Sequence, residues 1–378
     1  MALSIVILGP AHPFRGGGIT TFNERLARGL QESGHQVEIV NFTVQYPSFL
    51  FPGKTQISQE TAPKDLRISR RLHSMNPVSW YQTGRYIRKK KPDLVIVRYW
   101  LPFMGPAFGT VLRQAKKNRH TRVIAITDNV RPHEKRIGDE AFTRYFVKPC
   151  DGFITMSARV EQDLNDFVSA KPVLRLRHPL YDNFGEILPK SEARKTLGLD
   201  PDKKWVLFFG FIRAYKGLDI LLNAISRVHD PAIQFLVAGE FYEEERPYRE
   251  LIRSLKIEDR VKIVADFIPN DAVKQYFSAA DLVVQPYRNA TQSGVTPLAY
   301  HFEIPMVVTR VGGLPDYVED GKTGLIAEPE PVSLADAITR YFEFGEEHFR
   351  PHIRQKKQEL SWQVFISQIE GLFERLND

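Results

Sequence analysis

Two cations stand close together in a glycine-bounded segment near the middle of the chain. The segment runs from Gly210 to Gly217, and within it Lys216 follows Arg213 by three positions. Glycine lets the backbone approach a ligand closely because it carries no side chain. Two cations at the start of a helix, where backbone N–H groups already favour negative charge, predict a site for a diphosphate. A solvent-exposed basic turn is the alternative interpretation.

A run of small polar residues is a second candidate for binding phosphate. It consists of Thr291, Gln292, Ser293, Gly294 and Val295. Such a run before a helix exposes several backbone N–H groups that can surround phosphate oxygens. An ordinary helix cap has a similar composition, so the run gains weight mainly from its pairing with Arg213 and Lys216.

Two further groups of candidate residues lie in the first half of the chain. The triplet Gly16, Gly17 and Gly18 fits neither the Walker loop nor the G-x-G-x-x-G spacing. It predicts either a flexible turn or a loop that closes on a ligand. Asp128 and His133 follow an apolar run and are candidates for proton transfer or for binding hydroxyl groups, with a capped turn as the alternative.

The elements that must position these residues alternate between strands and helices. Apolar runs typical of buried strands occur at residues 3–8, 36–42, 93–99, 122–127, 152–156, 173–176, 205–209, 232–238, 261–264, 282–285, 306–309 and 324–326. Stretches with helical spacing, such as residues 20–33 and 217–227, separate them. This alternation predicts parallel sheets covered on both faces, with ligands bound where the strands end.

A break in the alternation divides the chain. Turn-forming residues crowd positions 178–203, after which the strand–helix pattern restarts. We therefore expect an α/β protein with two doubly wound, Rossmann-like domains, over residues 1–185 and 186–360, joined by a short hinge and facing across a cleft. An amphipathic helix over residues 361–378 is expected to follow them.

Composition excludes several classes of protein. Apolar residues make up 43% and charged residues 26% of the 378 residues, which is typical of globular domains rather than disordered chains. One cysteine, Cys150, excludes an internal disulfide framework and cysteine-clustered metal sites. The first residues lack the features of a signal peptide, so we expect a cytoplasmic protein. The sequence contains no H-E-x-x-H or G-x-S-x-G motif.

A net charge of +7 permits attraction to anionic lipids or phosphorylated substrates. The densest basic run contains Arg85, Arg88, Lys89, Lys90 and Lys91. A solvated helix face explains this run about as well as a binding surface does. Residues 94–112 carry one charge, Arg98, but proline and glycine interrupt them. They predict a strand, a turn and a packed helix, with a partly inserted monotopic segment as the alternative.

These motifs resemble those of the retaining glycosyltransferases of family 4, which have the GT-B fold. The resemblance covers essentially the whole chain and is strongest over residues 208–217 and 287–326. It implies transfer of a hexose, with retention of anomeric configuration, from a UDP-, GDP- or ADP-sugar to a hydroxyl of a saccharide or lipid-linked acceptor. The implied setting is polysaccharide or glycolipid assembly in the cytoplasm, peripherally at an anionic membrane surface.

The resemblance also implies roles for residues. Arg213 and Lys216 would hold the donor diphosphate in the C-terminal domain, with Gly210 and residues 291–295 beside them. The triplet at residues 16–18 would close over the phosphates and the acceptor, which the N-terminal domain binds. The last helix would cross back to that domain. Asp128 falls where the family has a histidine. Neither a metal nor another cofactor is expected, and nucleic acid is not an expected partner.

Two departures from the family pattern favour a second interpretation. The first is that the family carries two glutamates eight residues apart, and those positions are Ala290 and Leu298 here. The second is Asp128 in place of the family's histidine. The alternative is therefore a catalytically inactive scaffold or sensor that binds a nucleotide sugar with the same fold. A GT-B phosphorylase or sugar-nucleotide epimerase would need a phosphate site different from the one that Arg213, Lys216 and residues 291–295 would form, and the sequence provides no candidate for it.

Overall fold

The computed structural model describes residues 2–14, 18–47, 56–58, 61–131, 138–290 and 293–377. The chain divides into two units: residues 1–177 together with 362–378 form the first, and residues 178–361 form the second. Each unit has its own sheet and its own apolar core.

The first unit is built around a seven-stranded sheet whose strand pairs are all parallel. Its strands are β1 (Ser4–Leu8), β2 (Gln36–Val44), β3 (Ile68–His73), β4 (Leu94–Tyr99), β5 (Arg122–Thr127), β6 (Gly152–Thr155) and β7 (Val173–Arg175). They lie in the order β3-β2-β1-β4-β5-β6-β7, so the direction of winding reverses between β1 and β4. In such sheets, ligands bind outside the carboxyl ends of the strands at the reversal.

The second unit repeats this topology with six parallel strands. They are β8 (Lys204–Phe209), β9 (Ile233–Ala238), β10 (Val261–Val264), β11 (Leu282–Gln285), β12 (Met306–Thr309) and β13 (Gly324–Ala327). The order is β10-β9-β8-β11-β12-β13, which places the reversal between β8 and β11. The segments that follow these two strands therefore leave the same edge of the sheet side by side.

Helices connect the strands and cover the sheets. They are α1 (Ile19–Glu32), α2 (Pro77–Lys90), α3 (Gly105–Ala115), α4 (Asp139–Val147), α5 (Ala158–Asn165), α6 (Lys190–Leu197), α7 (Leu218–Ile225), α8 (Arg246–Leu255), α9 (Val273–Ala279), α10 (Val295–His301), α11 (Pro331–Phe344), α12 (Glu346–Glu359) and α13 (Trp362–Arg375). In the first unit, α1 and α13 pack on one face of the sheet, and α2, α3 and α4 pack on the other.

The last helix, α13, is part of the first unit and packs against α1. The ring of Phe22 on α1 lies 5.1 Å from the ring of Trp362 and 5.8 Å from the ring of Phe365, measured between centroids. A hydrogen bond adds to this apolar contact, since Nε2 of His35 lies 2.7 Å from the carboxylate of Glu370. Helix α13 therefore completes the core on one face of the first sheet.

The predicted fold class of two doubly wound α/β domains is confirmed, but one strand, β3, was not predicted from the sequence. Strand β3 lies within residues that show no clear apolar pattern. It is an edge strand that fully buries only Leu72 and exposes Arg70 and Arg71, so no apolar run marks it. Residues 94–112 form the expected strand, turn and helix. Within the described ranges, no helix is both long and apolar enough to cross a bilayer.

Truncating the contact between α1 and α13 tests its contribution to stability. Phe365 is 3% exposed, so replacing it with alanine should lower the free energy of unfolding by about 3–5 kcal/mol. Val364 on the same helix is 43% exposed, and Val364→Ala should change it by no more than about 0.5 kcal/mol. Urea denaturation measures both variants. Equal losses in the two would contradict the described packing of α13.

Candidate functional site

The segment after β8 forms a separate turn ahead of helix α7. Residues Ala214–Lys216 make one 3-10 turn, and α7 starts at Leu218. Gly217 joins them with a φ of +66°, and a Cβ added there would lie 2.0 Å from the carbonyl oxygen of Pro286. Both the positive φ and the lack of space for a Cβ therefore require glycine at this position. Arg213 and Lys216 precede the helix instead of forming its first turn.

Lys216 is half-buried, and within the described ranges no carboxylate pairs with it. Its ammonium lies 5.6 Å from the centre of the Tyr287 ring. A Cβ added to Gly210 would lie 3.0 Å from Nζ, so the glycine leaves room for this ammonium. Burial, and then the positive charge of Arg213, lowers the pKa of Lys216 to about 8. An anion bound beside Lys216 would favour the charged ammonium and so oppose both effects.

Arg213 lies at the edge of an exposed aromatic surface. Its guanidinium carbon is 4.9 Å from the centre of the Tyr242 ring. The ring of Phe211 lies 4.4 Å from that of Tyr242 and 6.3 Å from that of Phe267, between centroids. These three rings, called the aromatic shelf below, are between 39% and 49% exposed. They follow three neighbouring strands, β8, β9 and β10, so the sheet brings them together.

The loop after β11 meets the turn after β8 through one tyrosine. The ring of Tyr287 faces the ammonium of Lys216, and its hydroxyl lies 3.2 Å from Oγ of Ser293. The same Oγ accepts a hydrogen bond from the backbone N–H of Val295 at 3.2 Å. Gly294, between them, directly precedes α10. The two segments that the sequence predicted as phosphate sites are therefore joined within the second unit.

The positions where the family carries glutamates are apolar and buried. Ala290 is 8% exposed and Leu298 is 6% exposed, and both belong to the core of the second unit. The backbone is also crowded here, because a Cβ on Gly312 would lie 1.4 Å from the carbonyl oxygen of Ala290. Neither position supplies a carboxylate to oppose the charges of Arg213 and Lys216.

In the first unit, Asp128 is held in an ion pair. Both of its carboxylate oxygens accept hydrogen bonds from Arg98, at 2.6 Å from Nε and 2.9 Å from Nη2. Arg98 is 5% exposed, and its guanidinium carbon lies 3.9 Å from the centre of the Phe22 ring. In this arrangement Asp128 is an acceptor fixed in place rather than an open carboxylate. Arg98 is the only charged residue in the sequence of residues 94–112, and this isolated charge could have indicated a buried ion pair.

A buried asparagine fixes the loop after β1. Oδ1 of Asn41 accepts from the backbone N–H of Ala11 at 3.2 Å, and its Nδ2 donates to the carbonyls of Ala11 and His12, each at 2.8 Å. Gly18 caps α1 with a φ of +47°. The remaining predicted site residues lie outside the described residues: Gly16, Gly17, His133, Thr291 and Gln292. Asn41 is a polar residue inside an apolar strand, a signal that sequence reasoning missed.

Two family models match the chain, one in each unit. The model described as "Glycosyltransferase Family 4" matches residues 16–175, and "Glycosyl transferases group 1" matches residues 203–343. The D-inositol 3-phosphate glycosyltransferase of Actinosynnema mirum is 31% identical over 233 residues, 57% of this chain and 54% of the relative. That of Geodermatophilus obscurus is 28% identical over 270 residues, 65% of this chain and 58% of the relative. The chain therefore spans little more than half the length of these relatives.

Solved structures share the architecture of both units. Sucrose-phosphate synthase of Thermosynechococcus elongatus aligns with a TM-score of 0.72 at 19% identity, over 99% of each chain. HepE of Anabaena in complex with UDP aligns with a TM-score of 0.73 at 16% identity, over 99% of this chain and 100% of that one. The fold is GT-B, with two Rossmann-like domains. The chain belongs to glycosyltransferase family 4.

The lowered pKa of Lys216 gives a direct test of the site. Because only the neutral amine is acylated, competitive labelling should show half-maximal reactivity of Lys216 near pH 8. Replacing Arg213 with alanine removes a like charge, so the pKa of Lys216 should rise toward its ordinary value. Arg253→Ala, which removes an exposed arginine of the same unit, is the control and should leave the midpoint in place. An unchanged labelling midpoint of Lys216 in Arg213→Ala would contradict this arrangement.

Proposed function

We propose that this chain is a retaining hexosyltransferase that uses a nucleoside-diphosphate sugar as donor. The observation that carries the proposal is the pair Arg213 and Lys216, two cations in one turn that no described carboxylate neutralises. The turn follows β8 at the reversal of the sheet, the usual place for a nucleotide in this topology. The second unit accordingly binds the donor, and the first unit binds the acceptor, as the family resemblance implies.

The chemistry assigned to these residues is electrostatic. The bond between the anomeric carbon and the β-phosphate oxygen breaks, and a bond from that carbon to the acceptor oxygen forms on the same face. The acceptor proton passes to the departing phosphate, so the nucleoside diphosphate leaves with it. Arg213 and Lys216 stabilise the charge that develops on the leaving oxygens, as fixed donors do for other oxyanions. No carboxylate nucleophile is needed for this route.

The aromatic shelf is the surface we assign to the nucleobase. A base stacked on an aromatic side chain gains about 1–3 kcal/mol whatever its identity. Arg213 borders the shelf, so a diphosphate beside Arg213 would lead directly to a base on Phe211, Tyr242 or Phe267. HepE was solved with UDP, and starch synthase IV of Arabidopsis thaliana with ADP. UDP-, GDP- and ADP-sugars are therefore the donors to test.

Names of the relatives suggest the acceptor class. The actinobacterial proteins act on an inositol phosphate by name, and a Bacillus subtilis relative, 28% identical over 66% of this chain and 61% of its own, is named for teichuronic acid biosynthesis. We propose a saccharide or lipid-linked acceptor in polysaccharide or glycolipid assembly. The buried Ala290 and Leu298 favour one competing candidate, an inactive scaffold that binds a nucleotide sugar without turning it over.

A panel of UDP-, GDP- and ADP-sugars separates these candidates. A ligand that binds the folded chain raises its melting temperature, and slow hydrolysis of the donor without acceptor reports catalysis. We expect the sugars of one nucleotide, whether UDP, GDP or ADP, both to raise the melting temperature and to be slowly hydrolysed. Stabilisation without transfer to any saccharide or lipid-linked acceptor supports the scaffold. Absence of any stabilisation would refute a donor site at Arg213 and Lys216.

Replacing Arg213 with alanine tests its place in the reaction. Loss of one oxyanion-stabilising donor should lower kcat by about 10²–10³-fold on the donor that the panel identifies. Arg253→Ala again supplies the matched control and should turn over at the wild-type rate. Wild-type turnover by Arg213→Ala at saturating donor would show that Arg213 does not act on the leaving group.

We also propose that α2 holds the first unit at an anionic membrane. Helix α2 contains no acidic residue, and its exposed basic residues are Arg85, Arg88 and Lys89, followed by exposed Lys91. The turn Lys116–Asn118 contacts α2 and adds exposed Lys117. Near the start of α2, exposed Met75, Val78 and Tyr81 could enter the interface. Residues 49–52 (Phe-Leu-Phe-Pro) have the composition of a second membrane contact, but they lie outside the described residues.

Sedimentation with vesicles that contain phosphatidylserine tests this surface. Each basic residue near an anionic surface contributes about 1 kcal/mol, so Arg88→Gln with Lys89→Gln should weaken binding about 30-fold. The same charge loss at exposed Arg253 and Lys256 in the second unit should leave binding close to that of the wild type. Binding that is equal in both double variants, or that does not weaken with salt, would contradict the proposal.

A further inference from the structure

The geometry points to Arg288 as a positioning residue for the turn that carries Arg213 and Lys216. Arg288 follows β11, so it belongs to the second of the two segments that meet at the sheet reversal. We infer that it braces the cationic turn and keeps that turn ready for an anion. The inference rests on the proposed function, since it names what positions the donor site.

Arg288 contacts the turn through both its backbone and its side chain. Its backbone N–H donates to the carbonyl oxygen of Tyr215 at 2.7 Å, and its Nη1 lies 3.3 Å from the carbonyl oxygen of Ala214. Nη1 and Nη2 also donate to the two oxygens of Asp219, each at 2.5 Å. These partners lie just before and just after Lys216 in the chain. One arginine therefore binds backbone carbonyls before that lysine and a carboxylate side chain after it.

A second brace holds the same turn from the segment after β9. Oε2 of Glu243 accepts from the backbone N–H of Ala214 at 2.8 Å, and its other oxygen accepts from the hydroxyl of Tyr248. One groove of the second unit is lined by both braces and by the turn itself, through Glu243, Asp219, Arg288, Ala214 and Tyr215. The turn is thus held between two segments.

Charge pairing gives the Arg288 brace a further consequence. Burial raises the pKa of Asp219, but the hydrogen bonds and positive charge of Arg288, together with backbone hydrogen bonds of Asp219 and Ile220, hold the pKa below its ordinary value. Asp219 therefore stays ionised, with both oxygens taken by Arg288. Asp219 is the acidic residue nearest to Lys216 in the sequence, three positions after it. Its carboxylate is paired with Arg288 instead of with Lys216 or Arg213.

The pair is too exposed to contribute much to folding stability. The side chains of Arg288 and Asp219 are 46% and 37% exposed, and ion pairs of this kind contribute little to the free energy of unfolding. Placement of binding groups is more sensitive, since an error of about 1 Å can change a rate about 100-fold. Loss of the brace should therefore affect the site far more than the melting temperature.

A double-mutant cycle tests this inference with variants Arg288→Met, Asp219→Asn and their combination. Lys204→Met is the matched control, because Lys204 pairs with Asp230 at 3.0 Å with similar exposures of 44% and 41%. Lys204 lies at the amino end of β8, whereas the cationic turn follows the carboxyl end of that strand. Arg288→Met should bind inorganic pyrophosphate about 10-fold or more weakly and raise the KM for the donor more than it lowers kcat. The double variant should be no weaker than Arg288→Met, and all melting temperatures should stay close to that of the wild type.

Lys216→Met separates the possible failures. If Lys216→Met loses pyrophosphate binding while Arg288→Met keeps it, the brace is refuted and the donor site stands. If the wild type and Lys216→Met bind pyrophosphate equally, the donor site itself is refuted. Should Arg288→Met unfold, the isosteric Asp219→Asn decides, since it keeps the shape of the pair and should still weaken pyrophosphate binding. Unchanged binding in Asp219→Asn would overturn the inference.

Discussion

Two like charges confined to one turn are the constraint on which the second unit depends. Arg213 and Lys216 repel each other, and burial makes it harder still to keep Lys216 charged. The turn nevertheless keeps its shape, because the fold holds it by contacts that do not neutralise it. Gly217 lets it touch the carbonyl of Pro286, and Arg288 binds its carbonyl oxygens. An anion is the component that would complete this arrangement.

The same sheet topology serves different chemistry in the two units. In both, the order of strands reverses beside the first strand, so loops from β1 and β4 or from β8 and β11 emerge together. In the second unit the loop from β8 carries Arg213 and Lys216, with which no described carboxylate pairs. The loop from β11 carries Arg288, which pairs with Asp219. In the first unit, Arg98 binds Asp128, and Asn41 holds the loop after β1 by hydrogen bonds. The same topology therefore carries different polar groups in the two units.

The sequence predicted the buried strands β5, β11 and β12 with the residues at which they begin and end. It also predicted the bounds of β10, a half-buried edge strand that alternates apolar residues with Lys262. It missed β3 because an edge strand with exposed arginines has no apolar run. It also placed Arg213 and Lys216 in the first turn of α7, because spacing alone does not reveal the left-handed glycine at Gly217 that starts the helix later. Partners such as Arg98 for Asp128, or Tyr287 for Lys216, depend on strand order, which local sequence does not encode.

The most direct test of the central claim is a crystal structure of the chain with the nucleoside diphosphate of its donor. We predict β-phosphate oxygens within hydrogen-bonding distance, about 2.7–3.2 Å, of Nζ of Lys216, with the guanidinium of Arg213 also in contact. The base should lie against the aromatic shelf. A nucleotide bound with its diphosphate away from Lys216 and Arg213 would contradict the assignment of this turn as the donor site.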